Sequence, residues 1–259
     1  MAEFPHILAK NLLEDAAVSL SSDSGASLTE DQVYRLIYLA DRSRLSKWYE
    51  DDYAGGLRIV FAFSNPVEAD TWVLDRNFLI PGSSAAIQLQ NSANGTAWNT
   101  VDTISAPLDT GKVYWRTFSA QSRAYWRFRL TSLAGPVSIF NLWLGKRIEL
   151  SFGPYGDFDP YEEEIVGEPV YGSSGGFQWT QRFRRRVLRV EFANLTDTQY
   201  ALIENWWSQA GRDGKNWWWL TYPVTRPDDP LYLNCEGSGK RFAFSQTVRY
   251  GALEAREVK

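Results

Sequence analysis

The clearest pattern along the first half of the chain is an alternation of apolar and polar residues with a period of two. This period places successive side chains on opposite faces of a β-strand. The alternation predicts strands over residues 57–63, 87–90 and 125–130, with a closing strand that contains Phe140, Leu142 and Leu144. Turn-forming pairs separate these segments: Asn65-Pro66, Pro81-Gly82 and Asn94-Gly95. Strands of this length without helical patterns between them indicate an antiparallel β-sandwich or jelly roll.

The second half of the chain adds a helical pattern. Thr196 and Gln199 have the spacing of a capping box, and a helical apolar face follows them as far as Ala210. Gly211 and Gly214 are placed to end the helix. Strands are predicted before the helix at 188–192 and after it at 217–222, 231–235 and 242–248. The pattern predicts a small α+β domain in which one helix packs on an antiparallel sheet.

A change of composition separates the two halves. Residues 151–176 are rich in glycine, proline and acidic residues, which is typical of a linker or a long exposed arm. We therefore predict a mainly β protein with a sandwich domain over 1–150, the linker or arm over 151–176 and a second domain over 177–259. Residues 30–41 are compatible with a short helix or a strand.

Composition limits the chemistry that the chain can perform. Its 259 residues carry a formal net charge of −4 and include one histidine, His6, and one cysteine, Cys235. These counts exclude a multi-histidine metal site and an intrachain disulfide, and the single histidine speaks against a histidine-centred triad. We expect no enzyme activity and no cofactor, and the sequence assigns no metal ligands. No apolar run is long enough to span a bilayer, and residues 1–6 lack the basic start and apolar core of a secretion signal, so we expect synthesis in a cytoplasm.

The strand order of the first half carries a family resemblance. The strands at 57–63, 71–74 and 87–89 are followed by the segment Ser92-Ala93-Asn94-Gly95-Thr96-Ala97-Trp98, then by Tyr125-Trp126-Arg127-Phe128-Arg129 and 139–145. Together, over about residues 10–148, they resemble the discoidin (coagulation factor 5/8 type C) domain. The disulfide that often joins the ends of that domain is absent.

The second half resembles another group of families. Arg189-Val190-Glu191-Phe192 precedes the helix, 211–214 follows it, and an aromatic strand ends in Tyr222-Pro223. Over residues 177–259 this order is similar to the minor tail protein M and distal tail protein families of long-tailed bacteriophages. The resemblance implies a ring of six or three copies at the tail tip, between tube and tip proteins, in a virion assembled in a bacterial host.

Two surfaces are candidates for binding. Trp48 and Tyr49 beside Asp51 and Tyr53 combine aromatic rings with polar groups, as a glycan-contact loop does, although the aromatics could instead fold back on the sandwich. In the second half, the candidate oligomer interface comprises Trp217, Trp218, Trp219, Arg184 and Arg186. Alternation places Trp217 and Trp219 in one environment and Trp218 in another, so that one face of the strand would be exposed in a monomer.

The arginine run 182–186 has three interpretations: a solvated or subunit-contacting strand, a ring surface that faces the tube lumen, or a nucleic-acid contact. The acidic balance of the chain argues against specific nucleic-acid binding. The main functional hypothesis is a structural protein of a phage or prophage tail tip, whose outward domain contacts host-surface glycans. The alternative is a carbohydrate-binding, lectin-like protein, and a hydrolase is a third class.

Overall fold

The computed structural model describes residues 3–25, 28, 35–43, 45–51, 55–75, 78–109, 111–156, 158–171, 177–235, 241–244 and 249–258. Over these ranges the chain is mainly β, with one α-helix. The elements are β1 (His6–Leu8), β2 (Ala17–Ser22), β3 (Trp48–Glu50), β4 (Gly56–Leu74), β5 (Phe78–Leu79), β6 (Ala86–Ser92), β7 (Asn99–Ser105), β8 (Tyr114–Thr131), β9 (Val137–Ile139), β10 (Leu142–Gly145), β11 (Ile148–Glu149), β12 (Glu163–Tyr171), β13 (Phe177–Leu195), α1 (Asp197–Gln209), β14 (Trp217–Leu220), β15 (Leu231–Asn234), β16 (Arg241–Phe244) and β17 (Arg249–Glu257). Short 3-10 turns lie at Leu12–Asp15, Leu36–Leu39 and Gly211–Asp213. The predicted fold class is confirmed.

The chain divides into two compact units. One contains residues 10–147, and the other combines residues 1–9 with residues 148–259. The prediction placed residues 1–9 in the sandwich domain, but they belong to the second unit, because β1 pairs with β11 and β14.

The unit of residues 10–147 is built on two long antiparallel strands, β4 and β8. They lie in a sheet of order β10-β4-β8-β6-β7, with β2 also paired to β4, and a three-stranded sheet of order β3-β9-β5 completes the unit. The predicted turn at Asn65-Pro66 is wrong, because β4 continues through it with a register shift between Ala62 and Val67. The predicted closing strand is divided into β9 and β10.

The apolar positions of the alternating strands form one buried core in this unit. Leu57, Ile59 and Phe61 of β4 lie with Trp126 and Phe128 of β8, all nearly inaccessible to solvent. Since side chains alternate between the faces of a strand, the intervening residues of β4 and β8 lie on the opposite face of the sheet.

The second unit has an antiparallel sheet of order β11-β1-β14-β15-β17-β13-β12, in which β16 also pairs with β17. Residues 245–248 of the predicted last strand lie outside the described residues. In the other unit, residues 30–34 of the segment 30–41 also lie outside them, and the described part of that segment contains the 3-10 turn Leu36–Leu39.

The capping box predicted for the helix is confirmed. Thr196 Oγ1 accepts a hydrogen bond from the Gln199 N–H, and the Gln199 side chain accepts one from the Thr196 N–H. Ile203 and Trp206 are buried on the helix face that packs in the core of the second unit. Gly214 has a positive φ of 63° where the chain leaves the helix. No helix among the described residues is long and apolar enough to cross a membrane.

Residues 163–171 and 177–186 form a two-stranded ribbon, which we call the arm ribbon. Its strands are β12 and residues 177–186 of β13, paired from Glu163↔Arg186 to Tyr171↔Phe177 with an irregularity after Val166. Beyond Arg186, β13 pairs instead with β17. Of the two descriptions predicted for 151–176, the exposed arm fits residues 163–171, whereas residues 172–176 lie outside the described part of the chain.

Candidate functional site

The predicted glycan-contact loop does not form an aromatic platform. Trp48 is only 1% exposed because it lies in β3 and packs in the core of its unit, so its ring cannot stack on a sugar. This corrects the prediction for Trp48. Tyr49 is half-buried in the same strand, Asp51 is exposed, and Tyr53 lies outside the described residues.

The tryptophans of β14 are not a free interface either. Trp217, Trp218 and Trp219 are all completely buried within the single chain. The prediction of an exposed face is therefore wrong. Trp217 and Trp219 share one environment, with ring centroids 6.1 Å apart, whereas Trp218 lies 4.7 Å from Tyr232 and outside that core cluster. The predicted separation of their environments is confirmed.

The arginine run of the arm ribbon is paired with carboxylates. Arg182 lies 2.6 Å from Glu168, Arg184 lies 3.7 Å from Glu163, and Arg185 pairs with Glu164. The Arg186 guanidinium reaches Asp229 at 2.7 Å. Because these pairs neutralise the run, it is not a bare cationic surface of the kind that binds phosphates.

A different polar surface lies on the solvent-facing side of the sheet built on β4 and β8. Residues directly opposite each other in neighbouring strands share a face, so the register shows which side chains meet. Val60, Arg127 and Gln90 form one row across β4, β8 and β6, and Arg58, Arg129 and Gln88 form the next. We call Arg58, Arg127 and Arg129 with Gln88 and Gln90 the arginine face.

Arg127 lies at the centre of the arginine face. Its guanidinium carbon is 4.1 Å from the ring centroid of Trp98, a cation–π contact. Its Nε–H donates to Gln90 Oε1 at 2.6 Å. The Gln90 side-chain amide in turn donates to Thr100 Oγ1 at 2.9 Å and to Gln88 Oε1 at 3.2 Å. Gln90 is almost fully buried, so this network fixes the position of Arg127.

The other two arginines share one carboxylate. Arg129 donates to Asp23 through Nε at 2.6 Å and Nη2 at 2.7 Å, and Arg58 Nε donates to Asp23 Oδ1 at 3.0 Å. The hydrogen bond from Arg129 is the main reason why the pKa of Asp23 is lowered. Burial, with the charges of Arg58 and Arg129, lowers the pKa of Arg127 to about 10. The arginine face therefore has an excess of positive charge.

The loop that carries Trp98 is held by its own hydrogen bonds. Ser92 Oγ accepts from the N–H groups of Asn94 and Gly95, and Asn94 Oδ1 accepts from those of Thr96 and Ala97. Gly95 has a φ of 76°, and a Cβ there would lie 3.3 Å from the Tyr125 ring. A glycine at this position lets the loop approach Tyr125, the neighbour of Arg127 on the same face of β8.

Sequence reasoning identified the parts of this site without joining them. The segment 92–98 was noted as a family feature, and Arg127 as one position of an alternating strand. Two signals were available: a tryptophan after an Asn-Gly turn, and arginines on the polar face of β8. The contact between Trp98 and Arg127 depends on the register of β6 with β8. The apolar–polar pattern of a single strand does not reveal that register.

The described residues contain no group of three or more His, Cys, Asp or Glu side chains arranged to hold a metal ion. The arginine face offers hydrogen-bond donors and amide groups, and Trp98 and Tyr125 add aromatic rings beside it, a combination suited to binding a polar ligand.

Comparison with known proteins gave similarities of fold only. No family model matches the chain, and no curated protein matches it in sequence. Among solved structures, a chitosan-binding module from a chitosanase/glucanase of Paenibacillus sp. IK-5 is 20% identical, with a TM-score of 0.41 over 52% of this chain and 98% of that one. A Clostridium perfringens structure in complex with GalNAc-β-1,3-galactose is 13% identical, with a TM-score of 0.41 over 54% and 99%. A pectin-binding carbohydrate-binding module is 12% identical, with a TM-score of 0.39 over 52% and 91%.

Proposed function

We propose that the unit of residues 10–147 is a carbohydrate-binding unit and that the arginine face, with Trp98 and Tyr125, is its contact surface. The observation that supports this is the cation–π contact of Arg127 with Trp98, together with the hydrogen bond from Arg127 to the buried side chain of Gln90. Sugars present apolar C–H faces and a rim of hydroxyl groups. Aromatic rings pack against the former, while guanidinium and amide groups bond the latter.

A glycan-binding assay on the full chain tests this proposal. Wild-type protein is expected to retain at least one class of glycan on an array. Trp98→Ala removes both the ring and the support under Arg127, and we expect at least tenfold weaker binding. Tyr155→Ala is the matched control, because Tyr155 is 62% exposed in the other unit and lies outside the arm ribbon. No retained glycan, or equal binding by the Trp98 variant, would contradict the proposal.

We infer that the arginine face binds glycan without cleaving it. A glycosidase needs a carboxylic acid that stays protonated near neutral pH as a proton donor. Asp23, the carboxylate that bonds to the arginine face, has a lowered pKa and is held ionised by two arginines. Incubation with a bound oligosaccharide is expected to release no shorter product, and turnover by the purified chain would contradict this.

A second proposal concerns the other unit: assembly into a ring at a bacteriophage tail tip, as the resemblance to tail proteins implies. The arm ribbon favours an assembly role. It exposes large apolar side chains to solvent, although a two-stranded ribbon alone is at best marginally stable in water. These residues are Ile165, Val170, Tyr171, Trp179 and Phe183. Burial against another copy or a tube or hub protein would stabilise the arm ribbon.

The assembly proposal is tested by mass measurement in solution and in isolated tail particles. We expect a homo-oligomer of six or three copies, alone or with tail components. The double variant Trp179→Ser/Phe183→Ser is expected to weaken it, and Tyr155→Ser, an equally exposed aromatic outside the arm ribbon, should not. A chain that stays monomeric and never enters a particle would contradict the proposal.

A further inference from the structure

The arginine face carries more positive charge than its own carboxylate can balance. Asp23 is shared by Arg58 and Arg129. Arg127 has no carboxylate at ion-pair distance in the part of the chain that the structure describes. The charges that act on it are two like charges, Arg58 and Arg129, and the single opposite charge of Asp23. A bound anion would relieve this imbalance.

The hydrogen-bonding geometry of Arg127 indicates what such an anion could be. The Arg127 Nε–H donates a hydrogen bond to Gln90 Oε1, while neither terminal nitrogen of Arg127 has an acceptor among the described residues. The contact with Trp98 and the hydrogen bond to Gln90 hold the guanidinium in place and leave both terminal nitrogens as donors for a ligand. Planar, paired N–H donors match the two oxygens of a carboxylate, which they bind with two parallel hydrogen bonds.

The neighbours of Arg127 favour a sugar as the carrier of that carboxylate. Small or aliphatic side chains lie beside it on β4 and β2, where Val60 opposes both Arg127 and Ser19. On the other side stand the amide of Gln88 and the hydroxyl of Thr100, which can bond to hydroxyl groups. Since Arg58 and Arg129 are paired with Asp23, Arg127 is the cation of this face that lacks a carboxylate partner among the described residues. Aromatic, aliphatic and neutral polar groups beside it are complementary to a monosaccharide with one charged substituent.

We propose that the arginine face recognises acidic glycans, with the carboxylate of a uronic or sialic acid accepting paired hydrogen bonds from Arg127. This inference rests on the proposed carbohydrate-binding function and adds the ligand class. Arg127 selects for the charge, Gln90 positions Arg127, and Trp98 supports the guanidinium from below.

The test is a titration of the full chain with three acidic probes: hexasaccharides of galacturonate, hyaluronan and oligosialic acid. Each probe is compared with its carboxyl-reduced, neutral counterpart. Wild-type protein is expected to bind at least one acidic form at least tenfold more tightly than the neutral form. Arg127→Gln should remove that difference, and Arg127→Lys should restore only part of it, because an ammonium keeps the charge but not the paired donors.

Arg123→Gln is the matched control. It removes the same charge from the same strand, but among the described residues the Arg123 side chain bonds only to the carbonyl oxygen of Ser122. We expect the preference for acidic probes to survive in this variant, and circular dichroism should show that all three variants fold. An equal loss in Arg123→Gln and Arg127→Gln would reduce the effect to net charge and overturn the proposal.

The outcomes separate this inference from the function on which it rests. Binding to neutral and acidic forms alike, through Trp98, would overturn the acidic preference and leave carbohydrate binding in place. If a sulfated galactan binds more tightly than the carboxylate probes, the group that Arg127 recognises is not a carboxylate. If inorganic sulfate alone binds more tightly than they do, the ligand is a free anion and not a sugar. Failure of every acidic and neutral glycan to bind would overturn both proposals.

Discussion

Asp23 stabilises the arginine face because it bonds to two of the three arginines. A carboxylate with a lowered pKa stabilises the fold above its unfolded pKa, and this contribution is lost as the pH falls through the folded pKa. The pKa of Asp23 is lowered, chiefly by the Arg129 hydrogen bond. The unit of residues 10–147 is therefore expected to lose stability as the pH falls below about 4, the ordinary value of an aspartate.

Asp23→Asn should lower the free energy of unfolding at pH 7 by about 1–2 kcal/mol and weaken this acid dependence. Glu68→Gln is the control, because the Glu68–Lys146 pair is exposed on both sides and contributes about 0–1 kcal/mol. Urea unfolding at pH 3, 5 and 7 measures both variants. If Asp23→Asn leaves the pH dependence of the unfolding free energy unchanged, Asp23 is not the source of the acid sensitivity.

Cys235 is a buried thiol of the second unit, and burial raises its pKa to about 11. We expect the native thiol to resist Ellman's reagent at pH 8 and to react once the unit is unfolded. Since the unfolded thiol ionises near its ordinary pKa and the folded thiol does not, stability should fall as the pH rises from about 9 to about 11, by at most about 1.4 kcal/mol per pH unit.

The comparison for Cys235 is Cys235→Ala, which lacks this ionisation. The difference in free energy of unfolding between the two proteins should change with pH only in the alkaline window. Rapid reaction of the native wild-type thiol at pH 8 would show that Cys235 is accessible and would refute the expectation.

At the scale of elements, the end of α1 depends on two glycines for different reasons. A Cβ on Gly211 would lie 2.2 Å from Cε3 of Trp207, whereas Gly214 has open space but a φ of 63°. Gly211→Ala should therefore cost about 2–3 kcal/mol through overpacking. Gly214→Ala should cost about 1–2 kcal/mol through backbone strain, and Gly214→Asn less, because asparagine tolerates this conformation.

Chemical unfolding followed by tryptophan fluorescence measures these three variants. A small effect of Gly211→Ala would mean that Trp207 moves away at little cost. Equal effects of alanine and asparagine at Gly214 would contradict the backbone explanation.

Elements defined by local chemistry were predicted well from sequence. The capping box of Thr196 and Gln199 and the alternation of β14 depend on neighbours within a few residues, and both are confirmed. The length of β4 was not predicted, because the pair Asn65-Pro66 is typical of a turn. In the structure the strand continues through this pair with a register shift. Periodicity also cannot show which strand pairs with which, so the contact of Trp98 with Arg127 was missed.

Trp48 shows the same limit at a single position. Its neighbours in sequence are polar, which favours an exposed loop, but β3 pairs with β9 and the ring is buried. Burial depends on partners about 90 residues away in the chain, since Trp48 lies opposite Ile139. Sequence alone cannot supply such a partner.

At the scale of the whole molecule, one compact unit is inserted into the chain of the other. The chain leaves the second unit after Ala9 and returns to it at Ile148. These two points are close together, because β1 and β11 are adjacent antiparallel strands in which Ile7 pairs with Ile148. A short Asn-Gly connection can join such strands. A protein of residues 1–9 and 148–259 joined in this way is expected to fold cooperatively.

The matching control begins at Ile148 and lacks β1. It should be unstable, because β14 loses a paired strand and Ile7 is part of the core. Near-ultraviolet circular dichroism and thermal unfolding compare the two proteins. If the joined protein is unfolded, the inserted unit is needed for the stability of the other; if the truncated one folds equally well, β1 is dispensable.

The indole rings of the second unit also have an optical consequence. Trp207 and Trp206 lie 5.5 Å apart, Trp206 and Trp217 4.8 Å, and Trp217 and Trp219 6.1 Å, so the four rings form a continuous series. We expect indole rings this close to couple as excitons and to exchange excitation energy before they emit. The series should give this unit a paired circular-dichroism band and depolarised emission, an intrinsic spectroscopic label that vanishes when its packing is lost.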